Sequence, residues 1–177
     1  MFKKILVPCD GSDLAKRTVF PYVEDLGKQT GAEVTLLQVI HAPSGRSGAH
    51  FRAGAPEIPI SLPDTPDDVD IAQHPIYRDQ EIASAEAAAR SSVAKPEHML
   101  RERGVHVRSE VILGEPAEEI IEFAEQQNFD LIVMCSHGSS GIRRWVFGSV
   151  TEKVLRGTAV PVLVIRPEEW AQKRRHG

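Results

Sequence analysis

Several short and almost wholly apolar runs divide this chain, and they restrict the folds that it can adopt. The run from 4 to 7 stops at Pro8, 34–40 reads "VTLLQVI", and "DLIVMC" and "PVLVIRP" occupy 130–135 and 161–167. A strand that is apolar on both faces is typical of a parallel sheet covered by helices on both sides. The runs therefore predict the buried strands of an α/β domain.

Helical periodicity fills most of the sequence between these runs. Ser12 can cap a helix whose apolar residues recur every three or four positions until Gly31 stops it. Similar stripes begin at Ile82 and at Ala117. A short helix is predicted from Ser149 to Arg156, just before the last apolar run.

Prolines mark the irregular parts of the chain. Pro21 should kink the first helix, and Pro96 should bend or break the second. Six of the 12 prolines fall within 42–77, where the periodicity disappears. A loop of this length is uncommon in a compact domain and favours a mobile segment or a functional lid. We expect a single domain over 1–177, with an insertion at about 42–77 and a charged tail at 168–177.

The order of the elements predicts the topology. With an alternating strand from Val105 to Val111, the chain reads β-α-β-loop-α-β-α-β-α-β, which is typical of a doubly wound α/β sheet. Right-handed crossovers would give five parallel strands in the order 3-2-1-4-5, with helices on both faces. Ligands of such sheets bind at the carboxyl ends of the strands beside the switch point. The segments expected there are "PCDGSD" at 8–13 and "CSHGSSG" at 135–141.

Charge and hydropathy argue against several classes of partner. The formal net charge is −4, and charges of both signs are scattered along the chain, which argues against nucleic acid. No apolar run approaches the roughly 20 residues that cross a bilayer. The first residues lead into a strand and not into a signal peptide. We therefore expect a cytoplasmic protein with no membrane partner.

The second of the two loop segments has the chemistry of an anion site. Gly138 and Gly141 permit tight curvature, and Gly148 with Ser149 offers a hydroxyl beside the free N–H groups of a helix start. The alternative is that a glycine-rich loop between strand and helix is only a turn. Neither a P-loop motif nor a Gly-x-Gly-x-x-Gly fingerprint occurs in the chain's two loop segments.

Five stretches, taken in order, resemble the universal stress protein family along nearly the whole chain outside 42–77. They read "ILVPCDGSD", "GAEVTLLQVI", "GEPAEEIIEFA", "DLIVMCSHGSSG" and "FGSVTEKVLRGTAVPVLVIRP". The ATP-binding members of that family carry Gly-x-x-Gly followed at a fixed distance by Gly-Ser or Gly-Thr. Gly138, the nine residues 139–147, and then Gly148 and Ser149 match the larger part of this motif, whereas its first glycine falls on Cys135.

The resemblance implies an ATP site and assigns roles within it. Asp10 would contact the adenine, and the backbone near Pro8 and Val39 would line the base and the ribose. Glycines and serines of the loop and of the last helix would hold the phosphates, with Mg²⁺ or Mn²⁺ between them. The expected binding residues are Pro8, Cys9, Asp10, Val39, Cys135, His137, Gly138, Ser139, Gly141, Gly148, Ser149 and Val150. Without the resemblance, Asp10 reads as a turn former or as a partner of the helix dipole.

The two cysteines have two interpretations. Their spacing indicates neither a zinc ribbon nor a disulfide framework. Cys9 and Cys135 end the first and fourth strands, which the predicted order makes neighbours, so the sulfurs should lie side by side. They are either small core residues or a redox or metal switch that competes with nucleotide. A side chain at Cys135 could also narrow the pocket where the motif has glycine.

Five further residues of the second loop carry chemistry or bulk that needs an interpretation. His137 can reach a phosphate or a metal, or it can simply be solvated. Arg143 and Arg144 either add positive charge near the triphosphate or face solvent. Trp145 and Phe147 are expected to pack as an apolar anchor.

The last strand predicts an assembly. The residues Val162, Leu163, Val164 and Ile165 form a strand that is apolar on both faces although it should lie at an edge. Such an edge favours pairing with a second copy of the chain, and the family resemblance implies the same homodimer.

The function expected from the sequence is that of an ATP-binding universal stress protein, a nucleotide-responsive switch or accessory factor in the stress response. Hydrolysis would be slow at most, because no catalytic set of residues can be argued. One alternative is a homodimeric scaffold that binds no nucleotide and works through protein contacts. Another is an enzyme of the wider adenine-nucleotide α-hydrolase-like group, against which the missing catalytic residues argue.

Overall fold

Five strands and four helices make up the part of the chain that the computed structural model describes, which is 2–41, 75–136 and 147–167. The strands are β1 Lys4–Pro8, β2 Glu33–Ile40, β3 Val107–Leu113, β4 Leu131–Cys135 and β5 Val162–Ile165. The helices are α1 Asp13–Thr30, α2 Pro75–Glu102, α3 Pro116–Gln126 and α4 Ser149–Gly157. Most of the predicted insertion and the whole predicted tail lie outside the described residues.

The strands form one parallel sheet in the order β3-β2-β1-β4-β5, as predicted. On one side of β1, Ile5 lies beside Val34 of β2, and on the other it lies beside Leu131 of β4. The winding of the chain reverses between β1 and β4, so the switch point lies at the carboxyl ends of these two strands. The doubly wound α/β fold is confirmed.

The core lies in two layers, one on each face of the sheet. Leu36 and Leu37 are consecutive, fully buried residues of β2 that point to opposite faces. Leu36 packs in the layer beneath α1 and α2, together with Val23 and Leu100. Leu37 packs in the layer beneath α3 and α4, together with Val154. This is why the strand runs read as continuously apolar.

Helix α1 begins and ends where the sequence predicts. The Ser12 hydroxyl accepts a hydrogen bond from the N–H of Ala15 at 3.2 Å. Gly31 has a left-handed φ of 67°, and its N–H donates to the carbonyl of Gly27 at 2.9 Å. Pro21 lies inside this helix, which continues through it.

The predicted break at Pro96 is wrong, and the second helix begins before the apolar stripe that starts at Ile82. Helix α2 is continuous from Pro75 to Glu102, with Pro96 buried inside it. Proline removes one helical hydrogen bond, but Val93 and Leu100 on either side are 2% and 0% exposed. Tertiary packing of this face therefore holds the helix together. Proline is well suited to a first helical position, which explains the earlier start.

No helix in the described parts of the chain is long and apolar enough to cross a membrane.

The two edge strands of the sheet are β3 and β5. Both edge positions agree with the order predicted from the sequence.

Candidate functional site

Two connections of the chain start from the carboxyl ends of the central strands β1 and β4. The first, 9–12, connects β1 to α1, and the second leaves β4 at Ser136 and reaches α4 at Ser149. We call the space between them the crevice. Because it lies at the switch point of the sheet, it is the expected place for a ligand.

The loop between β1 and α1 is held by backbone and carboxylate hydrogen bonds. The N–H of Cys9 donates to the carbonyl of Leu37 at 2.7 Å, which extends the pairing with β2 by one residue. The Asp10 carboxylate accepts from the N–H of Ser12 at 2.9 Å, and Gly11 between them has a φ of 78°. This arrangement is an Asx turn with glycine in the left-handed region. The turn-forming role of Asp10 is confirmed, and its exposed side chain lies at the mouth of the crevice.

The start of α4 is fastened to the end of β4. The buried Thr151 hydroxyl donates to the carbonyl of Cys135 at 3.1 Å, and the N–H of Gly148 donates to the carbonyl of Ser136 at 2.9 Å. The N–H of Ser136 in turn donates to the carbonyl of Ile165 at 2.9 Å. These hydrogen bonds fix the amino end of α4 beside the switch point.

The amino end of α4 has the features of an anion site. Gly148 occupies the capping position with extended backbone and makes no side-chain capping bond. Ser149 is exposed on the first turn, and Val150 packs into the layer beneath α3 and α4. The first N–H groups of a helix have no partners within it and carry a partial positive charge. They can therefore bind a phosphate oxygen.

The structure brings the described members of the predicted site to one edge of the sheet. Pro8, Cys9 and Asp10 follow one another at the end of β1, Val39 lies near the end of β2, and Cys135, Gly148, Ser149 and Val150 lie around the β4–α4 connection. The predicted residues His137, Gly138, Ser139 and Gly141 lie outside the described residues, as do Arg143, Arg144 and Trp145. Phe147 is 37% exposed and contacts the Arg166 guanidinium, whose carbon lies 5.8 Å from the ring centroid.

Cys135 lies in the layer beneath α1 and Cys9 packs against that layer, and the two cysteines are not joined by a disulfide. Cys135 is 8% exposed, so the side chain at the motif's first glycine position lies mostly in the core. Burial raises the pKa of the Cys9 thiol to about 12, and the negative charge of Asp10 acts in the same direction. A thiol with this pKa is protonated at neutral pH, which makes it a poor nucleophile and a poor metal ligand. The core interpretation is therefore favoured over a redox or metal switch.

Gln38 and Ser92 lie near the first loop but were not predicted from the sequence. Gln38 lies on β2 next to Val39, and its Oε1 is buried with no hydrogen-bond partner among the described residues. Its Nε2 and the Ser92 hydroxyl of α2 both lie near Gly11. The available signal was that glutamine interrupts the apolar run "VTLLQVI", where a buried polar group needs a partner.

The sheet order defines a doubly wound α/β protein, and the carboxyl ends of β1 and β4 at its switch point are the place where such proteins bind ligands. The sequence model of the universal stress protein family matches residues 1–166, and the chain belongs to this family.

Curated relatives support the assignment along most of the chain. The universal stress protein MJ0531 of Methanocaldococcus jannaschii is 31% identical over 166 residues, which cover 94% of this chain and 83% of that protein. The universal stress protein YxiE of Bacillus subtilis is also 31% identical over 166 residues, which cover 94% of this chain and all of that protein.

Solved structures show the same fold. The structure of MJ0577 is 26% identical, with a TM-score of 0.70 over 94% of this chain and 96% of that one. Two structures of lower sequence identity are complexes with a nucleotide. A universal stress protein in complex with cAMP is 16% identical, with a TM-score of 0.60 over 94% and 98% of the two chains. One from Archaeoglobus fulgidus in complex with dAMP is 17% identical, with a TM-score of 0.57 over 93% and 98%.

Proposed function

We propose that this protein binds ATP in the crevice and acts as a nucleotide-responsive switch or accessory factor in the stress response. The observation that carries the proposal is the uncapped amino end of α4, which Thr151 and Gly148 fasten beside the end of β4. A fixed helix start at the switch point of a doubly wound sheet is suited to a phosphate chain.

The proposed binding mode divides the nucleotide between the two loops. Asp10 and the backbone near Pro8 and Val39 face the base and ribose, because they end β1 and β2 at the carboxyl edge. The amino end of α4, with Gly148 and Ser149, holds the phosphates together with the loop residues 137–141 of the predicted motif. The cAMP and dAMP complexes of the two distant family members support an adenine nucleotide as the ligand.

In the proposed site the metal arrives with the nucleotide. They include no group of three or more histidine, cysteine or carboxylate side chains that could hold a metal ion. Mg²⁺ and Mn²⁺ prefer oxygen ligands, and Mg²⁺ in nucleotide sites commonly takes them from phosphates and water. We therefore propose that Mg²⁺ or Mn²⁺ binds through the phosphates of ATP, and that any hydrolysis is slow.

Nucleotide extraction and titration test the proposal. Mass analysis of nucleotide released from the purified protein should find ATP, ADP or AMP, and calorimetry with Mg²⁺ should show saturable ATP binding. Asp10→Asn keeps the oxygen that accepts from Ser12 but removes the charge near the base, so it should weaken ATP binding. Asp13→Asn is the matched control, because Asp13 lies on the first turn of α1 with an 89% exposed side chain.

Two outcomes would contradict the proposal. If no nucleotide is released and none binds at millimolar ATP, the scaffold alternative replaces ATP binding. If Asp10→Asn and Asp13→Asn bind ATP equally well, Asp10 has no role at the base.

Cys135→Gly should leave ATP affinity unchanged, since the Cys135 side chain packs in the core. A marked gain in affinity would show that the cysteine obstructs the pocket.

A homodimeric assembly is the second proposal. β5 is an edge strand of the sheet, and Leu163 at its centre is 38% exposed. An apolar edge strand favours pairing with an identical edge.

A further inference from the structure

Arg166 is a cation held at the carboxyl end of β5. Its backbone lies between two buried residues, Ile165 and Pro167, whereas its own side chain is exposed. Val162 and Val164 of β5 pack in the layer beneath α3 and α4. Because the side chains of an extended chain alternate between the two faces of a sheet, Arg166 continues this row on the face that α4 covers.

The guanidinium of Arg166 lies near the start of α4. Its carbon is 5.8 Å from the ring centroid of Phe147, which makes a cation–π contact. Phe147 precedes Gly148, the capping residue of α4. The N–H of Gly148 donates to the carbonyl of Ser136, whose own N–H donates to the carbonyl of Ile165, the residue before Arg166. The ring contact and these hydrogen bonds hold Arg166 beside the amino end of α4.

The N–H donors of Arg166 are available to a ligand. The guanidinium forms no ion pair with a carboxylate within the described part of the chain. The Phe147 ring attracts the cation through its face and carries no oxygen acceptor, so it does not compete for these donors. The planar fork of a guanidinium matches carboxylate and phosphate oxygens, and the ligand proposed for the crevice carries phosphates.

The position of β5 decides which phosphate comes within reach of Arg166. The proposed base site lies at the ends of β1 and β2, and the sheet order places β4 and then β5 beyond β1. Neighbouring strands are about 4.8 Å apart, so the end of β5 lies about 10 Å from the end of β1. A single phosphate stays close to its ribose, whereas a triphosphate extends farther along the edge of the sheet. Arg166 is therefore suited to the far end of a phosphate chain.

We propose that Arg166, positioned by Phe147, binds the terminal phosphate of the nucleotide and makes the site prefer ATP to AMP, an inference that rests on the proposed ATP site. The amino end of α4 offers backbone N–H groups that both nucleotides can use. Only the longer ligand also gains a charge-assisted hydrogen bond from Arg166. Arg166 is thus a specificity-determining residue that distinguishes nucleotides by the length of their phosphate chain.

Calorimetry with ATP and with AMP, both in the presence of Mg²⁺, tests the role of Arg166. The wild type should bind ATP at least about tenfold more tightly than AMP, because a hydrogen bond to a charged group is worth about this factor. Arg166→Gln removes the charge from an exposed side chain. It should weaken ATP binding about tenfold and leave the AMP affinity within about twofold of the wild type.

Arg156→Gln is the matched control. It makes the same change of charge at the other end of α4, where the Arg156 side chain is 79% exposed. Salt screens exposed charges over about 10 Å, which is less than the length of this helix, so neither affinity should change by more than about twofold.

Phe147→Leu tests whether the ring positions the guanidinium. Loss of a cation–π contact at an exposed site should lower the preference for ATP about two- to fivefold. The same change made together with Arg166→Gln should lower the preference no further, because Phe147 acts through Arg166. If the two losses add, the positioning role of Phe147 is overturned.

The remaining outcomes separate the role of Arg166 from the ATP site itself. If ATP binds but Arg166→Gln lowers both affinities equally, or changes neither, the role of Arg166 is overturned and the ATP site stands. If Arg156→Gln weakens ATP binding as much as Arg166→Gln, net charge explains the effect, and the role of Arg166 is again overturned. If the wild type binds neither nucleotide, both proposals are overturned.

Discussion

At the residue scale, the question is which side chains near the crevice are buried in the core and which are exposed. Cys135 takes a position where the family motif has glycine, yet its side chain packs beneath α1. Cys9 lies against the same layer, and Asp10 next to it is turned outward and exposed. Of these three described residues, only Asp10 therefore exposes its side chain, while Cys135 lies in the core and Cys9 packs against it.

The Cys9 thiol, which packs against the core, should react slowly. Its pKa rises from 9.0 to about 12, so the thiolate fraction at pH 8 falls about a thousandfold. We expect iodoacetamide to alkylate Cys9 at least about a thousandfold more slowly in native protein than in urea, measured by mass in a Cys135→Ala variant. Native and denatured rates within tenfold of each other would contradict the core interpretation.

The same shift in pKa affects stability at alkaline pH. The folded state holds the Cys9 proton more tightly than the unfolded state, so its contribution is complete below pH 9 and is lost as the pH rises towards about 12. Cys9→Ala should lose stability less steeply than the wild type over this range.

At the element scale, close contacts between helices, strands and loops set the frame of the site. The hydrogen bonds from Thr151 and Gly148 join α4 to the end of β4, and the N–H of Ser136 joins this end to β5. At the amino ends of the strands, the Asp130 carboxylate accepts hydrogen bonds from the N–H groups of Lys3 at 2.7 Å and Lys4 at 2.9 Å. Gly27 of α1 meets Val105, and a Cβ on Gly27 would lie 2.8 Å from the Val105 Cγ1.

Gly27→Ala should destabilise the protein although alanine is the better helix former. The added methyl group overlaps a stiff side chain that is only 3% exposed, which costs about 1–3 kcal/mol, and helix propensity returns about 1 kcal/mol. We expect a net loss of about 1 kcal/mol in urea unfolding. Combining it with Val105→Ala should cost less than the sum of the single changes. If the two losses in the free energy of unfolding simply add, the methyl group at residue 27 does not clash with the Val105 side chain.

Asp130 should make stability depend on acidic pH. The backbone N–H groups of Lys3 and then Lys4 hold the pKa of the Asp130 carboxylate below its usual value of 3.8. Because the folded state favours the charged form, its contribution is present above about pH 4 and is lost as the pH falls below that value. Asp130→Asn should lower Tm at pH 7, and the difference from the wild type should shrink by pH 3.

The control for this comparison is Asp25→Asn, a change at an exposed position of α1. It should leave Tm close to that of the wild type at both pH values. A difference between wild type and Asp130→Asn that is constant from pH 7 to pH 3 would contradict the role of these hydrogen bonds.

At the scale of the whole molecule, the sheet leaves two edges with different protection. β3 carries Arg108, which pairs with Glu33 and Glu110 at 2.7 Å each. Charges of this kind discourage pairing with another strand. β5 has apolar residues throughout, with Leu163 exposed. The asymmetry favours β5 as the surface for a second copy.

Leu163→Lys should weaken the proposed dimer. A charge on the exposed centre of β5 is costly to bury, so light scattering coupled to gel filtration should show at least tenfold weaker association than in the wild type. Leu155→Lys changes an equally exposed leucine of α4 and should leave association unchanged. A wild-type protein that is monomeric at all concentrations tested would reject the dimer through β5.

The local sequence was sufficient for the elements and for their order. Strand runs such as "VTLLQVI", the Ser12 cap and the Gly31 stop are local signals, and the handedness of crossovers then restricts the topology. The expected edge of the crevice followed from the same rules. The local sequence was not sufficient at Pro96, because the buried residues on both sides of it hold together a helix that proline tends to break.

Only the tertiary structure decided which way the polar and thiol groups of the crevice face. The sequence alone determined that Cys9, Asp10 and Cys135 come to the same edge, because parallel strands end together. Whether each side chain enters the core or the crevice depends on contacts between residues far apart in the chain. Those contacts place Cys135 beneath α1 and leave the Gln38 oxygen without a partner beside Gly11 and Ser92.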